Sequence, residues 1–197
     1  MIKEIKDRRS IRKYDGREVP REMLEQIIAA GMCAPSAKNR QPWKYVVVTG
    51  SAKQDALSVM ERGLEREKHN PFLPTSAGNI TDAENTLKVM RQSSAVIFVV
   101  NTLGVELSRT LTVDERVYEI CNAQSIGAAV QNMSLAVVEL GLGSLWVCNT
   151  FFAQPELNKW LNTGGELFAA LAVGYASESP APRPRNPISE TVEWRML

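Results

Sequence analysis

The chain has 197 residues, a length that suits one domain with a substantial apolar core. Its 23 basic and 22 acidic residues are interspersed and leave a formal net charge of +1, which argues against nucleic acid or an anionic membrane as a partner. The three cysteines form no CxxC pair, and the charged start of the chain lacks the pattern of a signal peptide, so we expect a reducing, cytoplasmic setting.

Helical and extended patterns alternate along the chain. Apolar residues at helical spacing predict helices over residues 20–32, 52–66, 83–92, 113–140 and 155–161. Apolar, mostly β-branched runs predict strands over residues 44–49, 95–100, 145–147 and 167–173. The first two runs are typical of strands buried on both faces. Strands separated by helices predict one α/β domain over residues 1–197, an α+β sandwich with a central mixed sheet flanked by helices.

Two arginine-rich segments lie near the ends of the chain. Arg8-Arg9-Ser10-Ile11-Arg12 places three guanidinium groups and a hydroxyl within five residues. Guanidinium groups bind phosphate oxygens through charge-assisted hydrogen bonds, so this segment suits a phosphate better than a neutral ligand. Arg183-Pro184-Arg185 offers the same chemistry. Either segment alone is more often a solvated surface.

A polar loop with the sequence PSAKNRQPW, residues 35–43, follows the first predicted helix and leads into the first strand. Two prolines and a tryptophan restrict this loop. Its amides, hydroxyl and guanidinium still need partners, which makes it a candidate ligand-binding loop. Trp43, beside the strand, is expected to pack in the core and not to contact a ligand.

Two further segments have the character of surface loops. Residues 67–80 contain prolines and a glycine that stop any regular element, and a mobile lid is expected there. Residues 67–82 and 103–112 should decide substrate choice, because loops on a fixed scaffold set specificity. The single histidine, His69, is expected in a surface loop, with no second histidine or cysteine nearby to complete a zinc site.

The long helix predicted over residues 113–140 contains an uncharged stretch, residues 120–138. Six Asn, Gln and Ser side chains in that stretch argue against a membrane span, so we expect a buried central helix or a dimer interface. The tail over residues 176–197 has four prolines and is expected to be extended and not helical. Its apolar residues should pack on a neighbouring subunit, unless the end is disordered.

The segments RRSxR, PSxxNxQPW and Arg183-Pro184-Arg185, in this order, resemble the FMN-dependent nitroreductase family from Arg8 to Arg185. The resemblance implies a nitroreductase-like fold and an intertwined homodimer with FMN at the subunit interface. It also implies that hydride passes from NADPH or NADH through flavin N5 to a small-molecule acceptor such as a quinone, nitroaromatic or enone. The flavin carries this chemistry, so no catalytic side chain is implied.

The resemblance and the chemistry of guanidinium groups assign the FMN phosphate to the two arginine-rich segments. The residues concerned are Arg8, Arg9, Ser10, Arg183 and Arg185. Arg12 would lie beside the pyrimidine edge of the flavin, where a cation stabilises the negative charge that develops on reduction. A surface salt bridge is the alternative for Arg12.

The loop over residues 35–43 would reach the flavin bound by the other subunit. Its short polar side chains can donate to and accept from the flavin carbonyls, imide and ribityl hydroxyls, and its small residues let the backbone approach closely. The polar residues are Ser36, Asn39 and Gln41, and the residues that allow close approach are Pro35 and Ala37.

The resemblance further implies that a backbone N–H in the turn Cys148-Asn149 hydrogen-bonds flavin N5. The thiol of Cys148 has no neighbouring cysteine or cation in sequence, so a small buried residue is expected there. Asn132, on the long helix, is expected to be a satisfied core amide, with contact to the flavin as the alternative.

The sequence does not support a dinucleotide-binding fold. Gly141-Leu142-Gly143 follows a predicted helix, whereas the dinucleotide-binding fingerprint follows a strand and opens a helix. A flavin-binding carrier or sensor with little turnover remains an alternative function. A dehalogenase or flavin-destructase branch of the same fold is a further alternative.

Overall fold

The computed structural model describes residues 1–196. Helices in this part of the chain are α1 (Lys3–Asp7), α2 (Arg21–Met32), α3 (Gly50–His69), α4 (Ile80–Gln92), α5 (Val113–Glu139), α6 (Gln154–Leu161) and α7 (Ile188–Thr191). The strands are β1 (Trp43–Thr49), β2 (Ala95–Asn101), β3 (Gly143–Val147) and β4 (Glu166–Gly174). Short 3-10 segments cover Ala37–Asn39, Pro74–Asn79 and Asn149–Ala153. The α/β fold is confirmed, because every predicted helix and strand is present.

The strands form one sheet in the order β1-β2-β4-β3, and neighbouring strands are antiparallel. The sequence favours a mixed sheet. Within residues 1–196, the parallel pairing is an isolated bridge between Ser10 and Ser144, beside β3. The amino-terminal segment therefore runs next to the edge of the sheet that β3 forms.

β1 and β2 differ in burial because of their positions in the sheet. β2 has a neighbour on each side and is buried along its whole length, as predicted. The prediction that β1 is buried on both faces is wrong. β1 is the opposite edge strand, where the helices cover the sheet less completely, and Val47 is 40% exposed. A groove of 630 Å³ lies between β1 and α2 and is lined by Val47, Leu24 and Ile28.

Helices pack on both faces of the sheet, as predicted. One apolar core joins the sheet to α3, α4 and α6, and a second joins it to α2 and α5. β2 supplies both cores, because side chains alternate along a strand: Val96 and Phe98 belong to the first core, Ile97 and Val99 to the second. This packing holds the central strands and leaves the two sheet edges for other contacts.

α5 begins at a capping box and is buried along one side. Thr112 accepts the amide of Glu115 at 3.3 Å, and the Glu115 carboxylate accepts the amide of Thr112 at 2.9 Å. The opposite side of the helix exposes apolar residues, with Val113 80%, Val117 51% and Ile120 51% exposed. Within residues 1–196, no helix has the length and apolar character that a bilayer crossing would need.

Three loop predictions need correction. The tail contains a single helical turn, α7, directly after Pro187, because a proline is compatible with the start of a helix. His69 is exposed, as expected, but it ends α3 and does not lie in a loop. Residues 74–79 form a 3-10 helix, although their composition predicts no regular element there.

Candidate functional site

The amino-terminal arginines lie along the start of β3. Ser10 forms the parallel bridge to Ser144, and the amide of Ile11 donates to the carbonyl oxygen of Ser144 at 2.9 Å. Four residues on, Tyr14 is buried and bridges Ala176 just after β4. Burial raises the pKa of its hydroxyl above the usual range. These contacts fix the path of the arginine segment against the sheet.

The guanidinium groups of this segment form no ion pair with a carboxylate within residues 1–196. Arg8 and Arg9 are half-buried, and Arg12 is exposed. The Nη1 group of Arg9 donates to the carbonyl oxygens of Lys6 and Arg8, whereas its buried Nε has no hydrogen-bond partner within residues 1–196. None of these arginines takes part in an ion pair in the described chain. The segment is therefore chemically suited to an anion.

Within residues 1–196, no hydrogen bond or ion pair joins the carboxyl-terminal arginines to the first segment. Arg183 and Arg185 are exposed, and Arg185 donates to the carbonyl oxygens of Arg183 and Pro184 in its own segment. The tail does approach the first segment nearer its start, where Glu178 accepts the amide of Arg12 at 2.5 Å. A shared site for the two arginine-rich segments stays a prediction.

The loop over residues 35–43 adopts a strained backbone. Lys38, Asn39 and Gln41 have φ angles of 54°, 53° and 49°, in the left-handed region that residues other than glycine rarely adopt. Ser36 accepts the amide of Gln41 at 3.0 Å, and the Gln41 side chain donates to Asn39 at 3.2 Å. Strain of this kind persists where surrounding structure imposes it, and it is concentrated at functional sites.

The same loop is anchored to α5. The amide of Ala37 donates to the hydroxyl of Ser125 at 3.3 Å, and the Arg40 guanidinium lies 4.7 Å from the centre of the Tyr118 ring. Pro35 is exposed at the start of the loop. Trp43 at its end is buried in the core, as predicted. No pattern in the sequence predicts the role of Arg40, because its cation–π contact depends on a helix some 80 residues later in the chain.

The turn after β3 contains Cys148 and Asn149. The prediction that Cys148 is buried is wrong: the residue is exposed at the end of the edge strand. Partial enclosure of its thiol nevertheless raises the pKa of Cys148, which keeps the sulfur protonated near neutral pH. The side chain of Asn149 donates to the hydroxyl of Thr86 on α4 at 2.9 Å. The adjacent Thr150 is fully buried, and its hydroxyl has no partner within residues 1–196.

β3 connects the arginine segment to the Cys148-Asn149 turn. The arginine segment contacts Ser144 near the start of β3, and Cys148 follows its end. Four residues of extended chain span roughly 13 Å. Cationic donors therefore lie near one end of the strand, and the turn with the exposed residue Cys148 lies at the other. This arrangement suits an elongated ligand with an anionic group at one end.

Asn132 behaves as the sequence predicts. Its side-chain amide is half-buried and donates to the carbonyl oxygen of Ala30 on α2 at 3.2 Å. This bond joins α5 to α2, and it accounts for the polar residue in an otherwise apolar contact. The cost of burying an amide is low when it is hydrogen-bonded.

Sequence reasoning missed a buried charged cluster next to the Cys148 turn. The carboxylate of Glu67 is fully buried at the end of α3 and pairs with Arg66, which also pairs with Glu156 on α6. Burial is the largest single influence and raises the pKa of Glu156. The hydrogen bonds and charge of Arg66, together with a backbone hydrogen bond, outweigh it in sum, so the pKa lies below its usual value. Adjacent Arg and Glu residues before a loop are common, so the sequence gives no signal for this cluster.

Comparison with known proteins identifies the family. The model of the nitroreductase family matches residues 5–175. An NADH dehydrogenase of Thermus thermophilus is 27% identical over 199 residues, covering 95% of this chain and 92% of the relative.

Two solved structures share the fold. A BluB-like flavoprotein from Clostridium difficile 630 has a TM-score of 0.79 at 23% identity, covering 98% of this chain and 97% of the other. An FMN and NADPH-dependent nitroreductase, NfnB, from Sphigopyxis sp. strain HMH has a TM-score of 0.76 at 21% identity, covering 98% of each chain. Because the family model spans most of its length, this chain belongs to the nitroreductase family.

Proposed function

We propose that this chain is an FMN-dependent NAD(P)H oxidoreductase that reduces quinone-, nitroaromatic- or enone-type acceptors. One observation carries the proposal: Ser10 fixes the arginine segment beside the start of β3, and the Cys148-Asn149 turn follows the end of the same strand. Cationic donors and the Cys148-Asn149 turn are thus separated along one strand, as the phosphate and the flavin ring of FMN are.

The arginine segment fits the FMN phosphate. Phosphate carries close to two negative charges near neutral pH, and no carboxylate forms an ion pair with Arg8 or Arg9 within residues 1–196. The buried Nε of Arg9 also lacks a hydrogen-bond partner in the described residues. Arg183 and Arg185 would complete the phosphate site, and their exposure leaves both free to do so.

Bound FMN would supply two-electron chemistry, taking hydride from NADPH or NADH at N5 and returning it to an acceptor in a ping-pong cycle. The protein would orient the ring. A backbone N–H of the Cys148-Asn149 turn would donate to N5, and Arg12 would stabilise negative charge at the pyrimidine edge. The loop residues Ser36, Asn39 and Gln41 would hold the ring by hydrogen bonds, with Pro35 and Ala37 allowing close approach.

The proposed enzyme is a homodimer with FMN at the subunit interface. The exposed apolar side of α5 and the apolar residues of the tail support this, because monomers rarely leave such surfaces uncovered. In the tail, Trp194 is 70% exposed and Ile188 70% exposed. The unpaired outer edge of β1 and the groove beside α2 offer a place for a neighbouring chain. The loop over residues 35–43 would then contact the flavin of the other subunit.

A cytoplasmic setting is part of the proposal. Cys33, Cys121 and Cys148 are all free, as expected for a protein kept in a reducing compartment. This part of the proposal can be tested by locating a tagged copy in fractionated cells. Recovery of the protein in an oxidising compartment with its thiols blocked by disulfides would contradict it.

Two measurements test the activity. The freshly purified protein should show a flavin absorbance spectrum, or acquire one on titration with FMN. Rapid mixing of the flavin-loaded protein with NADPH or NADH in the absence of air should then bleach the flavin, and a quinone or nitroaromatic should restore its colour. A protein that binds no FMN would refute the proposal. Bound flavin that is never bleached would favour a carrier or sensor.

A further inference from the structure

The carboxylate of Glu67 holds the start of the loop that follows α3. Its side chain is fully buried and accepts the amides of Phe72 at 2.8 Å and Leu73 at 2.6 Å. The neighbouring Arg66 donates to the same carboxylate. A buried carboxylate is costly unless its lone pairs are used, and here both oxygens accept backbone amides. The position of the loop is thus coupled to Glu67.

The Arg66 side chain, which pairs with Glu67, also holds a second segment of the chain. It donates to both carboxylate oxygens of Glu156, at 2.9 and 3.0 Å, and to the carbonyl oxygen of Phe152 at 3.0 Å. Phe152 lies in the 3-10 segment Asn149–Ala153, directly after Cys148. Arg66 also donates to the carbonyl oxygen of Asn70 at 3.2 Å. One guanidinium therefore connects residues 70–73 to the turn after β3.

A separate contact ties the far end of the loop to the same turn. The side chain of Asn149 donates to Thr86 at 2.9 Å, and α4, which contains Thr86, follows the loop without a break. The segment between α3 and α4 is therefore attached at both ends to the residues around Cys148. The mobile lid that its proline and glycine content predicts stays a prediction, and its motion would have to break these contacts.

We infer that Arg66 and Glu67 are positioning residues that hold the loop over residues 70–79 and the Cys148-Asn149 turn as one wall of the reaction site. The inference rests on the proposed function, in which that turn faces flavin N5. Buried ion pairs contribute little net stability compared with apolar residues of similar size, but they fix geometry through directional hydrogen bonds. Neither residue touches the reacting atoms.

We expect Glu67 to affect the half-reaction with the electron acceptor more than the half-reaction with NADPH. It holds Phe72 and Leu73 in one of the two loops that the sequence marks for specificity. Arg66 instead contacts Phe152, in the 3-10 segment that begins at Asn149. Loss of the Glu67 contacts should therefore affect the acceptor step more, and loss of the Arg66 contacts should affect both hydride transfers.

The test compares Glu67→Gln with Glu65→Gln in the flavin-loaded protein. A glutamine has one side-chain acceptor in place of two, so one of the two loop amides must lose its partner. Glu65 is a matched control on the same helix, because its carboxylate is exposed and pairs with Lys68 and His69. The measurements are amide hydrogen exchange of residues 70–79, the FMN dissociation constant, and the rates of the two half-reactions with NADPH and with a quinone.

For Glu67→Gln we expect exchange in residues 70–79 to accelerate about tenfold and kcat/KM for the quinone to fall about tenfold. The FMN dissociation constant and the rate of reduction by NADPH should stay within about twofold of the wild type. Glu65→Gln should change none of these. Faster exchange with unchanged quinone kinetics would overturn the inference, because the contacts would then serve stability alone.

Arg66→Lys provides a second variant, with Arg62→Lys as its control because Arg62 is exposed on the same helix. A lysine keeps the charge but cannot contact Glu156 and Phe152 with the arginine fork. Both half-reactions should slow about tenfold, and unchanged rates would contradict the inference. If Glu67→Gln does not fold, Arg66→Lys decides the question. If the wild type binds no FMN, the proposed function fails, and hydrogen exchange alone still shows whether these residues hold the loop.

Discussion

Gly63 of α3 packs directly against Ala153, and a Cβ built on Gly63 would lie 2.7 Å from the Cα of Ala153. It would also lie 2.9 Å from a carboxylate oxygen of Glu156. The close approach of these backbones brings Arg66 within reach of the segment after Cys148. A residue with no side chain is therefore needed at this point on the helix.

We expect Gly63→Ala to destabilise the protein by about 1–3 kcal/mol, because the added methyl group forces α3 away from the backbone of Ala153. Thermal or urea unfolding measures this change. Gly78→Ala is the control, since an added Cβ at Gly78 meets nothing within 4 Å. Equal stability of the two variants would mean that α3 and the Ala153 segment separate easily.

The ion pair between Arg66 and Glu156 should make the free energy of unfolding depend on pH in the acidic range. The folded-state pKa of Glu156 lies below the usual 4.5. Burial, the largest single influence, raises it, but the hydrogen bonds and charge of Arg66 and a backbone hydrogen bond together outweigh burial. A lowered carboxyl pKa contributes stability that is present above the unfolded pKa and is lost as the pH falls through the folded pKa.

Near neutral pH, the unfolding temperature of Glu156→Gln should therefore be lower than that of the wild type. This difference should shrink as the pH falls below about 4.5. Glu61→Gln provides a control, because Glu61 pairs with Arg91 at an exposed site. A difference that is the same at every pH would show that Glu156 acts through packing and not through its charge.

The capping box at the start of α5 should contribute measurably to stability. Thr112→Ala removes the acceptor for the amide of Glu115 and should cost about 1 kcal/mol. Thr110→Ala, at an exposed position two residues earlier, should have almost no effect. The free energy of urea unfolding measures both variants. If Thr112→Ala is as stable as the wild type, water serves the amide of Glu115 equally well.

Arg8→Ala should weaken FMN binding about tenfold or more, because it removes a charge-assisted hydrogen bond to the phosphate worth roughly 1.5–3 kcal/mol. A fluorescence titration of the flavin-free protein with FMN measures the dissociation constant. Lys3→Ala removes an exposed positive charge from α1 and should leave the constant unchanged. An unchanged value for Arg8→Ala would remove this arginine from the phosphate site.

Asn39→Ala should disturb the flavin ring more than its phosphate. We expect a shifted flavin absorbance spectrum or a changed rate of reduction, with a smaller change in FMN occupancy. Lys38→Ala controls for backbone strain, because Lys38 and Asn39 have φ angles of 54° and 53°. If neither the spectrum nor the rate responds to Asn39→Ala, the loop contacts only protein.

The elements of the fold follow closely from the sequence. Periodicity predicts each of the long helices and all strands, with ends within three residues of those observed. The sequence also predicts that Trp43 packs in the core and that the Asn132 amide is hydrogen-bonded within the protein, and both are observed. It fails for β1 and for Cys148, because burial of a strand and of the residue after it depends on whether the strand lies at the centre or the edge of the sheet.

Local chemistry was enough to mark Arg8–Arg12 and the loop over residues 35–43 as candidate site segments, because charge, hydroxyl groups and proline positions are properties of short stretches. The Cys148-Asn149 turn was marked only by the resemblance to the family. Tertiary structure alone decided that Ser10 lies beside Ser144, that Arg40 lies over Tyr118, and that Arg66 and Glu67 join two loops. Each of these contacts depends on strand order and helix packing, which bring together residues that no pattern in the sequence relates.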